Sequence, residues 1–137
     1  MNLYFDANVF IFASLIDEGD VRVRRAQELM RKVSQGGGGY TSVLAVDEVV
    51  WAWIRQKKDR ATAIQQGLRI HTLPNLRVLE VTSADSLKSL SLLQRFPHLK
   101  PRDAIHAAVC FSNGISSIVS DDPDFDRIEG LKRIPLD

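Results

Sequence analysis

The chain has 137 residues, 45% of them hydrophobic and 26% charged, with a formal net charge of +1; this balance excludes a disordered chain or a strongly basic field and fits one compact domain over residues 1–137. A lone cysteine, Cys110, excludes an internal disulfide and any cysteine-based zinc site, and its setting in "AAVCF" makes it a buried small hydrophobe in a reducing, cytoplasmic protein. The start shows no signal-peptide pattern and no apolar run approaches about 18 residues, so neither export nor membrane spanning is expected.

"LYF" before Asp6 predicts a short buried strand and "NVFIFASLI" the opening of a helix, so the chain begins strand, acid, helix. From Val21 to Val33 the positions Val23, Ala26, Leu29, Met30 and Val33 recur at helical spacing, with Arg22, Arg24, Arg25, Arg31 and Lys32 elsewhere on the cylinder. "GGGG" at 36–39 ends this helix as a flexible connection; no lysine followed by serine or threonine makes it a phosphate-cradling loop. "YTS" then leads into a helix striped by Val43, Val46, Val50, Trp53 and Ile54, with Ser42 as its expected N-cap. On that helix Trp51 and Trp53 fall on opposite sides, one expected in the core and the other at an interface.

Another helix is predicted from Asp59 to about His71, a strand over "LRVLEV" at 76–81, and a helix from Ser83 to near Pro97. Pro101 sits at the favoured start of a helix running to Gly114, "SSIVS" reads as a strand, and "KRIPL" as a last short one. Strands alternating with helices predict an α/β fold: a three-layer α/β/α domain with a mostly parallel central sheet.

In such sheets ligands gather beyond the carboxyl ends of the strands. Asp6 ends the first strand, Glu48 lies within two turns of a helix start, Asp103 lies in a first helical turn, and "SDDPDFDRI" places four aspartates in nine residues after a strand. An acid at a helix N-terminus or in a turn is unremarkable taken singly, being favoured by the dipole or solvated. Glu48 and Asp103 are flanked by core-forming residues, however, where an unpaired charge is costly. Only Lys100 and Arg102 are close in sequence to offset it. A hydrated dication would do so, and a carboxylate set without cysteine or a histidine cluster suits Mg²⁺ or Mn²⁺ over zinc.

As a set, "YFDANVF", "TSVLAVDE", "RDAIHAA" and "IVSDDPDF" resemble the acidic motifs of PIN domains, in order and spacing and over essentially the whole chain, and in size the chain is similar to the VapC-type toxins of toxin-antitoxin modules. The resemblance implies a Mg²⁺- or Mn²⁺-dependent endoribonuclease with Asp6, Glu48, Asp103 and Asp122 as catalytic acids. Asp6, Asp103, Asp122 and Asp124 would be metal ligands, with Asn8 and Ser42 in support. Whether Asp121 or Asp122 turns inward stays open, and His106, which also matches a motif position, reads as a packing or hydrogen-bonding residue. A single-stranded or structured RNA substrate, a cognate antitoxin and a homodimer are the implied partners. Arg22, Arg24, Arg25, Arg55, Lys57, Lys58, Arg60, Lys100 and Arg102 are candidates to meet phosphates. The alternative is a catalytically inactive PIN-like module that binds RNA or protein. A phosphatase of the haloacid dehalogenase type is disfavoured, because Asn8 stands where a second aspartate would be needed.

Overall fold

The computed structural model describes residues 2–137. Neighbouring side chains on a strand point to opposite faces, and that alternation sets the layering. In β1 (Leu3–Phe5) Tyr4 packs with Ile118 and residues of one core, while Phe5 packs with Val119 and residues of the other. The strands β2 (Gly39–Ser42), β3 (Leu76–Leu79), β4 (Ser117–Val119) and β5 (Lys132–Ile134) join β1 in a five-stranded sheet of order β3-β2-β1-β4-β5. Every pairing in it is parallel.

Helices cover both faces, as a parallel sheet requires. The helices α1 (Ala7–Ala13), α2 (Val21–Lys32), α3 (Val43–Lys57) and α4 (Arg60–Thr72) enclose the core around Phe5, Val9, Phe10, Leu29 and Val49. On the other face α5 (Ser83–Arg95) and α6 (Pro101–Ser112) enclose Tyr4, Leu92, Val109, Cys110, Ile118 and Phe125. Cys110 is fully buried, as expected of a small hydrophobe, and burial pushes its thiol pKa up. Trp53 packs against the first core, whereas Trp51 is half-exposed. Among the described residues no helix is long and apolar enough to cross a membrane.

Two sequence expectations need correction. The glycine run is not simply a flexible link: the chain turns over Val33–Gly37 with a kink at Gly36, whose φ of 112° is not helical, and Gly39 is the buried first residue of β2. A Cβ at Gly39 would lie 2.5 Å from Cε2 of Phe5, so the β1 ring occupies the space a side chain would need. Ser42 does occupy the N-cap position of α3, but its hydroxyl makes no capping bond. It accepts instead from the Tyr4 hydroxyl at 2.7 Å.

Candidate active site

Register brings the first acid and the last loop together. Pairing of Leu3, Tyr4 and Phe5 with Ser117, Ile118 and Val119 ends β1 and β4 side by side, and the Asp6 amide continues the ladder by donating to the Val119 carbonyl at 3.0 Å. Asp6 therefore stands beside Ser120. It caps α1 through Oδ1, which accepts the Ala7 amide at 2.8 Å, while Oδ2 accepts from Ser120 Oγ at 2.6 Å and from Asn8 Nδ2 at 3.3 Å. Burial raises the Asp6 pKa, with His106 and the Ser120 hydroxyl pulling the other way.

Glu48 is fixed by a buried chain of polar groups. Ser42, at the end of β2, and Tyr4, on β1, share the 2.7 Å bond described above; Tyr4 Oη lies 2.6 Å from His106 Nδ1, and His106 Nε2 meets Glu48 Oε1. With Tyr4 donating to Ser42, its oxygen accepts from Nδ1–H, and Nε2 faces two carboxylates, Glu48 and Asp6 at 3.5 Å. The two carboxylates at Nε2 favour a proton on that nitrogen. Burial lowers the His106 pKa, but the bond to Glu48 and the charges of Asp6 and Glu48 outweigh it and the net shift is upward. His106 thus sits among carboxylates whose charge favours its protonated form.

A second group of acids has less compensation. Asp103 lies in the first turn of α6, where the dipole favours a carboxylate. Burial, then the charges of Asp122 and Asp6, nevertheless raise its pKa to about 7. Its Oδ2 is buried and has no hydrogen-bond partner. Ligand oxygens of Asp103, Asp122 and Asp124 lie within 4.8 Å of one another, as do ligand atoms of Asp6, Glu48 and His106. Asp122 caps the 3-10 turn Pro123–Arg127 by accepting the Asp124 amide at 2.9 Å, and its own amide donates to Ser120 Oγ at 3.0 Å.

One cavity is lined by Asp6, Asn8, Glu48, Asp103 and Asp122, with Asp47, Trp51 and Arg102 on its sides. An adjoining one, of about 540 Å³, shares Glu48, Arg102, Asp103 and Asp122 and adds Lys100 and Pro101. The acids expected from sequence thus meet at the carboxyl edge of the sheet, but as two ligand groups, with Asp6 in one and Asp103, Asp122 and Asp124 in the other. Ser42 lines neither cavity and is linked to His106 through Tyr4. Asp122 faces the cavity, while Asp121 turns to Arg22, whose Nη1 donates to it at 3.2 Å. Arg22 also binds Asp20 through two nitrogens and stacks 4.6 Å over the Phe12 ring. Arg22 is thus held between two aspartates while its side chain stays 39% exposed. Ser120 and Tyr4 were missed in the sequence; the signal for Ser120 was a lone hydroxyl between "SSIV" and two aspartates.

The family model for the PIN domain matches residues 3–131. No curated protein matches the sequence significantly. Among solved structures, VapBC2 from Rickettsia felis bound to a DNA fragment from its promoter is 16% identical, covers 100% of both chains and superposes with a TM-score of 0.73. VapC20 of Mycobacterium tuberculosis, a sarcin-ricin loop cleaving toxin, is 21% identical over 90% of this chain and 92% of its own, with a TM-score of 0.73. DNA-bound VapBC from Salmonella typhimurium is 16% identical over 100% of this chain and 99% of its own, with a TM-score of 0.70. At these identities the likeness is one of fold.

Proposed function

The chain belongs to the PIN-domain family, and from that premise we propose that it is a Mg²⁺- or Mn²⁺-dependent endoribonuclease, a single nuclease domain over residues 1–137 that hydrolyses phosphodiester bonds as the toxin of a toxin-antitoxin module. The observation that carries the reading is Asp103: a buried carboxylate oxygen without a partner, in a group of three acids whose oxygens approach within 4.8 Å. Such an arrangement is costly unless a cation shares it. The donor set fits a hard dication, being all oxygen in the Asp103, Asp122 and Asp124 group.

When bound, an ion there supplies Lewis acidity to the scissile phosphate and lowers the pKa of a water. The protein's own groups do the rest. Asp103, Asp122 and Asp124 are the residues that would hold the ion, and Asp6, locked by Ser120, Asn8 and the Ala7 amide, fixes the floor of the cavity. Glu48 lines the same cavity with Oε1 tied to His106, which positions it to hold or deprotonate a water. Lys100 and Arg102 border the acids and would receive the flanking phosphates. The likeness to the VapBC complexes of Rickettsia felis and Salmonella typhimurium supports a cognate antitoxin; a homodimer and a cytoplasmic setting belong to the same proposal.

The test is cleavage of end-labelled RNA in Mg²⁺ or Mn²⁺ against excess chelator, alongside Asp6→Asn and Asp103→Asn. Expected is dication-dependent cleavage that falls on the order of 100-fold in Asp103→Asn, the size of loss when one electrostatic group of an active site is removed. An inert wild-type protein that still binds RNA would leave the inactive binding module as the better reading.

A further inference from the structure

Beyond Glu48, α3 carries a pattern that the acids do not use. Trp51 and Arg55 follow Glu48 by three and seven residues, about 4.5 Å and about 10.5 Å further along the helix axis and on one side of it. Trp51 is 52% exposed and lines the acidic cavity beside Glu48 and Arg102. Large aromatic side chains are ordinarily well covered. The apolar neighbours of Trp51 in that cavity are Ala7, Ile11 and Ala52, and the other exposed large apolar side chains, such as Ile64, Leu68, Leu87 and Leu90, do not line it. Asp6, Asp47, Glu48, Arg102, Asp103 and Asp122 make up the rest of that lining with Asn8, whereas the core of a protein interface is depleted in charge.

A flat ring set between carboxylates and guanidinium groups matches a ligand that alternates flat bases with anionic linkers. We propose that Trp51 is the stacking platform for the base adjoining the phosphate seated at the acids, with Arg55 receiving the next phosphate along α3. This rests on the nuclease reading and narrows it to unpaired RNA. In a duplex the faces of bases are covered by their neighbours, and only an unstacked base can lie on an aromatic ring.

The experiment uses the full chain and a single-stranded oligoribonucleotide of randomised sequence. Steady-state cleavage is measured for wild type, Trp51→Phe and Trp51→Leu. Expected is KM raised about tenfold in Trp51→Leu with kcat little changed, and near wild-type KM in Trp51→Phe, since stacking needs a ring and not merely apolar area. Fluorescence of a Trp53→Phe protein, in which Trp51 is the remaining tryptophan, should be quenched on adding the oligonucleotide. Removing single bases from a cleaved sequence should locate one position where base loss and Trp51→Leu are non-additive, as two sides of one contact must be.

Unchanged KM in Trp51→Leu, or additivity at every position, overturns the inference while leaving the nuclease reading intact. A changed sedimentation coefficient in Trp51→Leu would make the ring a contact between copies of the chain and overturn it as well. No dication-dependent cleavage by the wild type removes both.

Discussion

Asp6 is buried to 6% exposure, yet it is the half-buried Asp103 that holds an oxygen with no partner. The difference lies in hydrogen bonding: Asp6 accepts from Ala7, Asn8 and Ser120, which offsets part of the cost of its burial, although its pKa is still raised. Ser120 is central to this because the same hydroxyl oxygen accepts the Asp122 amide and so links the floor of the site to the acidic loop. Ser120→Ala leaves a buried carboxylate oxygen and an amide each short of a partner, which costs about 1–3 kcal/mol. Urea denaturation should show that loss as a lower midpoint at unchanged slope. An unaltered midpoint would mean that this hydroxyl contributes nothing to holding Asp6.

Strand β2 links the two cores to the site, and its first residue decides how closely β1 can approach. With 2.5 Å available to Phe5, an added methyl at Gly39 must displace the ring of the residue that precedes Asp6. Gly39→Ala should therefore destabilise by about 1–3 kcal/mol, as overpacking does, and weaken Mn²⁺ binding measured by calorimetry; wild-type values for both would show that the ring yields freely. This glycine also marks where sequence was a poor guide, since four glycines in a row read as a linker when the packing partner is 34 residues away in the chain. Elements with strong local signals, such as "LYF", the stripe of α2 and Pro101 opening α6, were legible and formed as expected. The positions of the acids were legible too, because Asp6, Asp103 and Asp122 sit at the ends of elements, Glu48 lies in the second turn of α3, and parallel topology sends those ends to one edge. What local pattern could not show was the long-range pairing of polar side chains. Ser42 has the composition of a cap, but Tyr4 claims its hydroxyl from 38 positions away, and Arg22 reads as a free cation until Asp121, 99 positions on, meets it.

The folded protein as a proton-binding body follows from the same geometry. Burial raises the pKa of Asp6 and, with the charge of Asp122, that of Asp103 to about 7; His106 also rises, because Glu48 and Asp6 outweigh its burial. Unfolded carboxyls titrate near 4 and unfolded histidine near 6.5. Between about pH 4 and 7 the metal-free fold therefore binds more protons than the unfolded chain at Asp103, and stability falls as pH rises through that window. The stabilisation from charged His106 is complete below its unfolded pKa and is lost as pH climbs through its raised folded value, so both groups act in the same direction. The lowered carboxyls of Asp20, Asp59 and Asp126 act oppositely, but below about pH 4, where protonation removes their partners. A dication competes with those extra protons for the same oxygens. Melting temperature in chelator should accordingly decline from about pH 5 to 8, and millimolar Mg²⁺ or Mn²⁺ should raise it more at pH 8 than at pH 5. Asp103→Asn should flatten the decline in chelator and reduce the gain from metal. A flat chelator profile, or a metal effect equal at both pH values, would show that the clustered acids are neither strained by one another nor relieved by an ion.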